Sequence, residues 1–275
     1  MANITAADVN KLRQMTGAGI MDCKNALVES EGDFEKAIDT LRKKGQKVAS
    51  KRADREANEG VILAKTSDDN KKAFIIMLNC ETDFVARNQE FIDFASEILN
   101  IAVQNSPKNV EELCGLKING LPVSEKLNEM LGKIGEKIQL SKYAVVNASK
   151  VFSYVHPGNR LASIVGFNKE TSTETGKDIA MQIAAMSPVA IDKADVDPAL
   201  VAREREIAME QVRQEGKPEQ MLEKITEGKI NKFYNESTLL NQEFIKDNKK
   251  TVRQYLQETD KELQVTEFRR FQLGN

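Results

Sequence analysis

The chain has 275 residues, of which 40% are hydrophobic, 30% charged and 5% aromatic. A chain of this length predicts about two domains, with a core large enough to need no disulfide or metal. Its 40 basic and 42 acidic residues give a formal net charge of −2. Proteins that coat nucleic acids carry a basic excess, so this balance argues against such a role.

Rare residue types exclude further kinds of site. The only histidine is His156, so a metal site built on two or more histidines cannot form within one chain. The three cysteines are odd in number and widely spaced, which indicates reduced thiols packed as small hydrophobic side chains. No apolar run approaches the ~18 residues of a membrane span, and the start lacks the features of a signal peptide. We therefore expect a cytoplasmic protein with no metal, no cofactor and no membrane partner.

Residues 4–45 show three short helical patterns separated by glycine. Thr5 and Asp8 have the spacing of a capping box at the start of the first pattern. The segment Gly17-Ala18-Gly19 ends that pattern, and Glu31-Gly32 ends the second. A three-helix bundle of this size is marginally stable alone, so we expect a recognition module attached to a larger body.

A basic stretch follows between Arg42 and Arg55. Its other basic residues are Lys43, Lys44, Lys47, Lys51 and Arg52. Such a run is typical of a solvated helix extension or linker, and a patch that binds the ribosome, RNA or an acidic partner is the alternative.

The middle of the chain shows the order strand, strand, helix twice. The first set predicts strands at residues 60–66 and 72–80, followed by a helix that carries Phe91 and Phe94. The second set predicts strands at residues 143–148, 151–155 and 161–167 and a helix at about 175–186. This order predicts an α+β fold with two antiparallel sheets and helices on one face.

Two further helical patterns lie between residues 197 and 233, and Gly216-Lys217-Pro218 separates them. This spacing predicts a helical hairpin. Strand patterns resume at residues 239–245 and 265–273, so we expect the hairpin to leave the second sheet and return to it. Such a hairpin either contacts another chain, as in an oligomer, or packs on its own domain.

Glycine-rich segments do not complete a nucleotide-binding motif. Gly17-Ala18-Gly19 lacks the third glycine of the dinucleotide motif and follows a helix instead of a strand. Gly115 and Gly120 have the spacing of a phosphate-binding loop, but Leu121-Pro122 stands where Lys-Ser/Thr is required. The residue types favour a binding protein over a catalyst of covalent chemistry.

Residues 79–88 (NCETDFVARN) join an apolar strand to an amphipathic helix. On residue chemistry alone, we expect Asp83 to cap the helix and Phe84 to fill the core. The alternative is that both side chains face a partner, with Phe84 entering a pocket and Asp83 competing for cations or hydrogen-bond donors.

Two long motifs resemble the signatures of the bacterial elongation factor Ts family. One is residues 12–27 (LRQMTGAGIMDCKNAL), and the other is residues 82–88 (TDFVARN). Shorter matches follow in the same order at residues 133–136, 153–160 and 179–185. The resemblance extends from Ile4 to about Phe271 and so covers nearly the whole chain.

The resemblance implies a guanine-nucleotide exchange factor without covalent chemistry of its own. Its partner would be the GTPase elongation factor Tu, in the GDP-bound and nucleotide-free forms, and not a nucleic acid. The resemblance also implies a ubiquitin-associated-like helical module, a two-part core of antiparallel sheets and an inserted helical hairpin that can dimerise. The corresponding segments are residues 1–56 for the module and basic linker, 57–139 for the first core subdomain, 140–190 and 236–275 for the second, and 191–235 for the hairpin.

The resemblance also assigns roles to individual residues. Positions that match Thr82, Asp83, Phe84 and Val85 intrude, in the family, near the magnesium ion of the GTPase. Phe84 would wedge between side chains of the partner, and Asp83 would disturb the network that holds Mg²⁺. Further partner contacts are implied for Arg13, Met21, Lys24, Ile134 and Gly135.

Two positions depart from the family pattern. Gln182 stands where relatives can carry a histidine near the GTPase, and Glu243-Phe244-Ile245-Lys246 replaces a common Pro-Phe pair. His156 is expected to be a turn residue. Two rival functions stay open: an RNA- or ribosome-binding factor that uses the basic stretch, and an adaptor whose helical module binds ubiquitin-like folds.

Overall fold

The computed structural model describes residues 4–52, 54–216 and 218–274. Its helices are α1 (Ala6–Thr16), α2 (Ile20–Glu29), α3 (Phe34–Lys51), α4 (Asp83–Ala86), α5 (Gln89–Asn105), α6 (Val110–Gly115), α7 (Val123–Ile134), α8 (Thr173–Met186), α9 (Pro198–Gln214), α10 (Glu219–Ser237) and α11 (Val252–Thr259). Its strands are β1 (Glu59–Thr66), β2 (Lys72–Cys80), β3 (Lys117–Ile118), β4 (Leu121–Pro122), β5 (Gln139–Asn147), β6 (Lys150–Val155), β7 (Leu161–Phe167), β8 (Glu243–Phe244), β9 (Asp247–Thr251) and β10 (Val265–Gln272). The mixture of helices and antiparallel strand pairs confirms the predicted α+β class.

Helices α1 and α2 begin and end close to where the sequence predicts. Thr5 Oγ1 accepts a hydrogen bond from the Asp8 N–H (3.2 Å), and the Asp8 carboxylate accepts one from the Thr5 N–H (2.9 Å), which completes the capping box. Gly17 ends α1 with a φ of 68°, a left-handed conformation that glycine adopts without strain. The three helices bury a shared apolar cluster that includes Leu12 and Leu27.

Helix α3 is longer than its apolar pattern alone predicts. It continues through the basic stretch to Lys51, because Lys, Arg, Gln and Ala favour helix. It crosses α7 closely, since a Cβ on Gly45 would lie 3.0 Å from the Asn128 carbonyl oxygen. A Cβ on Gly132 would lie 3.4 Å from Gly45 Cα. The interpretation of the basic stretch as a helix extension is therefore confirmed up to Lys51.

The described residues divide into two compact units. One takes its residues from Met1–Leu63, Ile76–Ala144 and Gln272–Asn275, and the other takes its residues from Ala64–Ile75 and Val145–Phe271.

Two three-stranded sheets have the orders β1-β2-β5 and β10-β7-β6. The strand predicted at residues 143–148 exists within β5, but it pairs with β2 and not with the strands that follow it. The pattern of side chains along one strand does not report which distant strand it pairs with. The expectation that this strand belongs to the second sheet is therefore wrong.

Helix α8 covers β6 and β7 of the second sheet. These strands are antiparallel, with Phe152 opposite Val165. Gly176 of α8 lies on the Phe152 ring, and a Cβ there would come within 2.1 Å of a ring carbon. Phe167 packs edge-on against Phe152, with 5.9 Å between ring centroids. This packing explains why glycine is required in the first turns of α8.

Helices α9 and α10 form the predicted helical hairpin. Their contact buries Val212 of α9 together with Leu222 and Ile230 of α10. The chain returns next to its point of departure, where the Leu239 N–H donates a hydrogen bond to the Ala190 carbonyl oxygen (2.9 Å).

The strand predicted at residues 239–245 is wrong in its extent. Leu239–Asn241 is a 3₁₀ turn, and only Glu243–Phe244 is a strand. The buried Gln242 amide donates to the carbonyl oxygens of Met186 (3.1 Å) and Glu236 (2.9 Å), which holds the chain in a turn at this point. The strand predicted at residues 265–273 is confirmed as β10.

Candidate functional site

Strand β2 delivers the chain from the core to a sharp corner. Residues 73–80 are all buried. Residues 81–87, which we call the 81–87 corner, then turn through the one-turn helix α4 before α5 begins. Thr82 caps α4, since its Oγ1 accepts a hydrogen bond from the Val85 N–H (3.4 Å).

Phe84 points outward from this corner. Its side chain is 83% exposed, more than any other large hydrophobic side chain among the described residues. The expectation that Phe84 fills the core is therefore wrong, and so is the expectation that Asp83 is the helix cap. Asp83 is instead the first residue of α4, and its carboxylate forms an ion pair with Arg87 (3.0 Å). Phe84 is thus exposed and Asp83 partly exposed, and the alternative in which both side chains face a partner stays a prediction.

Glu136 holds the backbone of the corner in place. One carboxylate oxygen, Oε2, accepts hydrogen bonds from the N–H groups of Glu81 (3.1 Å) and Thr82 (3.0 Å). The other, Oε1, accepts a hydrogen bond from the Thr82 hydroxyl (2.7 Å). Hydrogen bonds to a charged acceptor are stronger than those between neutral groups. The cap of α4 is therefore fixed by a side chain that is distant in sequence.

The Glu81 side chain contacts the residue that follows Glu136 and the segment that follows α3. Its carboxylate accepts hydrogen bonds from the Lys137 N–H (2.7 Å) and from the guanidinium groups of Arg52 (2.7 Å) and Arg55 (3.1 Å). The side chain is only 14% exposed, and this burial opposes ionisation. The hydrogen bonds from Lys137 and the two arginines outweigh burial, so the pKa of Glu81 lies below its usual range.

Cys80 lies at the buried base of the corner. Its thiol donates a hydrogen bond to the Thr82 carbonyl oxygen (3.2 Å). Burial, together with the negative charges of Glu136 and Glu59, raises the pKa of this thiol to about 12. The thiol therefore stays protonated at neutral pH and acts as a buried donor.

Ile134 and Gly135 directly precede Glu136 in the chain. Gly135 ends α7 with a φ of 80°, and its N–H donates to the Leu131 carbonyl oxygen (2.7 Å). This left-handed ending favours glycine and sends the chain toward the 81–87 corner. The structure therefore brings two predicted groups together: Thr82, Asp83, Phe84 and Val85 with Ile134 and Gly135.

Arg13, Met21 and Lys24 lie on the N-terminal helices, and all three are exposed. Met21 is 63% exposed, and Ile20 and Val28 on α2 are also exposed. These residues form an apolar surface edged by basic groups, which is a second exposed surface of the same compact unit.

The basic stretch makes ion pairs within the chain. The pairs join Arg42 to Glu129 (3.3 Å), Lys44 to Asp22, and Arg52 and Arg55 to Glu81 (2.7 and 3.1 Å). Cations that already face carboxylates contribute less to phosphate binding. This pairing counts against the RNA- or ribosome-binding alternative.

Gln182 and His156 belong to the other compact unit. Gln182 is fully buried, and its amide donates to the Glu243 carbonyl oxygen (3.0 Å) and accepts from the Ile245 N–H (2.9 Å). These hydrogen bonds hold the backbone of residues 243–245 from the buried side. His156 is exposed and lies in the expected turn, with 2.8 Å between Nδ1 and the Tyr154 hydroxyl.

Sequence reasoning missed the roles of Glu81, Arg52 and Arg55, and it included Glu136 only as part of a matching motif. Nothing in local spacing links these residues, because their contacts join segments far apart in the chain. The adjacency of Glu136 to Ile134 and Gly135 was the available signal.

Within residues 4–52, 54–216 and 218–274, no group of three or more His, Cys, Asp or Glu side chains is placed to hold a metal ion. Over the same part of the chain, no helix is long and apolar enough to cross a membrane.

A rigidly held corner that presents an exposed aromatic side chain is typical of a protein-binding factor. Comparison with known proteins shows which family of protein-binding factors the chain is similar to. The family model described as elongation factor TS matches residues 81–275. Proteins named elongation factor Ts are similar over nearly the whole length: that of Christiangramia forsetii is 50% identical across all of both chains, and that of Amoebophilus asiaticus is 50% identical over 98% of this chain and 99% of its own. That of Porphyromonas gingivalis is 48% identical over 98% of each chain.

The chain belongs to the elongation factor Ts family, and so to the elongation factors of protein synthesis. Nucleotide exchange factors of this kind are in general not catalysts of covalent chemistry. The resemblance predicted from residues 12–27 and 82–88 is confirmed.

Proposed function

We propose that this chain binds elongation factor Tu, in its GDP-bound and nucleotide-free forms, and accelerates the exchange of GDP for GTP. The observation that supports this most directly is Phe84, 83% exposed on a corner held by three hydrogen bonds to Glu136. Because hydrogen bonds already hold the backbone beside Phe84, little backbone entropy is lost when its ring enters a pocket.

The proposed mechanism acts on the magnesium site of the partner. Phe84 would wedge between side chains of the GTPase, and Asp83 would disturb the network of groups that holds Mg²⁺. A bound Mg²⁺ is among the largest local charges in a nucleotide site, so disturbing it weakens the hold on the phosphates of GDP. Thr82 and Val85 contribute by forming the capped turn that carries both side chains.

Exchange then follows from reciprocal coupling. If this chain weakens GDP binding to the partner, GDP weakens the binding of this chain by the same factor. The ternary complex therefore loses either ligand more readily, and no bond is made or broken. This chain supplies contacts only and has no covalent chemistry of its own.

Additional residues of this chain contact the partner at surfaces outside its nucleotide site. Arg13, Met21 and Lys24 belong to the exposed apolar and basic surface of the N-terminal helices, which we take as a ubiquitin-associated-like module. Ile134 and Gly135 extend the surface beside the corner. The division into a module at residues 1–56, core subdomains and a hairpin at residues 191–235 belongs to the same proposal.

Two copies are proposed to pair through the hairpin. Ile207 of α9 is 40% exposed and Met221 of α10 is 48% exposed, which leaves apolar area for a partner helix. Light scattering of the full chain at micromolar concentration is expected to give twice the monomer mass, and the monomer mass alone would contradict this pairing.

Stopped-flow release of a fluorescent GDP from purified elongation factor Tu tests the function. We expect this chain to accelerate release in a saturable way. We expect Phe84→Ala to lower the maximal rate by about tenfold, because it removes an aromatic contact that becomes buried when the partner binds. Val189→Ala, which shortens another exposed apolar side chain, is the matched control and should behave as wild type. A release rate that does not respond to the wild-type chain would overturn the proposal.

A further inference from the structure

Helix α4 cannot hold its own shape. It has four residues, whereas isolated helices shorter than about 12 residues are marginal in water. Yet Phe84 can act as a wedge only if this single turn keeps one orientation. The rigidity of the 81–87 corner must therefore come from contacts with other segments.

Two glutamates supply those contacts by a reciprocal exchange. Glu136 accepts the N–H groups of Glu81 and Thr82 and the Thr82 hydroxyl. In return, Glu81 accepts the N–H of Lys137, the residue that follows Glu136. Each segment thus offers a carboxylate to the backbone of the other, which fixes both their separation and their register.

Two arginines compensate the negative charge of this arrangement. Neighbouring carboxylates repel each other when both are ionised. Arg52 and Arg55 donate to the Glu81 carboxylate, at 2.7 and 3.1 Å, and the Lys137 ammonium donates to the Arg55 carbonyl oxygen (2.9 Å). Both arginines lie in the segment between α3 and β1, so the linker of the N-terminal helices is tied to the corner.

We propose that Glu136 and Glu81, completed by Arg52 and Arg55, form a carboxylate clasp that positions the 81–87 corner for exchange. The clasp rests on the function proposed above and deepens it. Glu136 is a positioning residue: it acts through Thr82 on the orientation of Phe84, and it need not contact the partner. The basic linker is thereby given a role in exchange that does not involve nucleic acid.

Glu136→Ala and Glu136→Gln test the clasp in the GDP-release assay. Alanine removes all three acceptor bonds, and we expect the maximal release rate to fall by about tenfold, while the concentration for half-maximal rate changes less than about twofold. Glutamine keeps a carbonyl oxygen for the two N–H groups, and its amide can donate to the Thr82 hydroxyl oxygen. It should therefore restore most of the rate.

A double variant distinguishes positioning from a general structural role. If Glu136 acts through Phe84, the combination of Glu136→Ala with Phe84→Ala should be no slower than Phe84→Ala alone. Effects that simply multiply would overturn the proposal. A rate for Glu136→Ala equal to wild type, in an assay where wild type accelerates release, would also overturn it. No acceleration by wild type would instead contradict the proposed function.

Amide hydrogen exchange of the free chain tests, in the absence of the partner, whether the clasp protects the backbone of the corner. Glu136→Ala should speed exchange of the Glu81 and Thr82 amides by at least about tenfold, with core amides unchanged. Unchanged exchange at both amides would overturn the clasp even if the function is correct.

The arginines provide a charge-matched test. Arg52→Ala combined with Arg55→Ala should lower the maximal release rate by about threefold, since two donors to Glu81 are lost. Lys43→Ala combined with Lys47→Ala removes the same charge from exposed positions of the same stretch and should leave the rate at the wild-type value. Equal losses in the two pairs would assign the effect to net charge and contradict the clasp.

Discussion

At two places in the chain a corner connects a buried strand to a long helix. The phenylalanine near one corner is exposed to solvent, and the phenylalanine near the other is buried. At the 81–87 corner, Phe84 is 83% exposed. The second corner, which we call the 168–172 corner, joins β7 to α8, and Phe167, the last residue of β7 before it, is fully buried. The first corner inserts the extra turn α4, and this turn is what carries its aromatic side chain outward.

Both corners are anchored by side chains that form hydrogen bonds with the backbone of a segment distant in sequence. At the second corner the Asn168 amide donates to the Glu262 carbonyl oxygen (2.9 Å) and accepts from the Gln264 N–H (2.9 Å). At the first corner, Glu136 and Glu81 make the corresponding hydrogen bonds. Anchoring by itself therefore does not mark a functional corner. The combination of anchoring with an exposed aromatic side chain does.

The largest expected effect separates the two phenylalanines. Phe167→Ala should lower the free energy of unfolding by about 3–5 kcal/mol, because it empties a buried site beside Phe152. Phe84→Ala should change it by less than about 0.5 kcal/mol, because the side chain is already in water. Urea unfolding of both variants measures the contrast.

Comparable losses in the two variants would contradict this contrast, since they would mean that Phe84 is packed in the free chain. Phe84→Leu serves as a control that keeps an apolar side chain at the same exposed position, and it should also unfold as wild type does.

A smaller effect distinguishes the two kinds of anchor by their response to acid. The pKa of Glu81 is lower in the folded chain than its usual value of 4.5, so its stabilising contribution is complete above that pH and is lost as pH falls through the folded value. Wild type should therefore exceed Glu81→Gln by about 1 kcal/mol of unfolding free energy at neutral pH. This difference should shrink as the solution is acidified below pH 4.5 and through the folded pKa of Glu81.

Asn168→Ala provides the comparison at the second corner. An amide does not titrate, so the loss of unfolding free energy caused by this substitution should be the same at neutral pH and in acid. A stability difference between wild type and Glu81→Gln that persists in acid would contradict the account of an ionised anchor.

Local sequence patterns were sufficient for the N-terminal helices, α5, α8 and the hairpin, and for the strands β1, β2, β6, β7 and β10, because caps, glycine breaks and apolar spacing act within a few residues. Thr5 with Asp8, and Gly17, are clear examples. Local patterns did not predict α6, α7 or α11. The pairing of β5 with β2 escaped prediction because it depends on a distant partner. The turn at Gln242 escaped it because a side-chain amide, and not a strand ladder, satisfies the carbonyl oxygens there.

The candidate site was predictable only in part, for the same reason. A phenylalanine placed after a buried strand fits a core position as well as a surface position, and residue chemistry favoured the core. The outward orientation of Phe84 depends on the turn α4, and that turn depends on hydrogen bonds from residues 81–82 to Glu136. The family resemblance identified Phe84 and Asp83, but it assigned no role to the glutamates that hold them.

The central claim is that Phe84 and Asp83 act on the magnesium site of the partner. Its most direct measurement is the ratio of GDP-release rates produced by wild type and by Phe84→Ala, taken first with saturating Mg²⁺ and then after chelation. We expect the ratio to fall from about tenfold toward one, because a metal that has been removed can no longer be displaced. A ratio that stays the same without Mg²⁺ would contradict the claim.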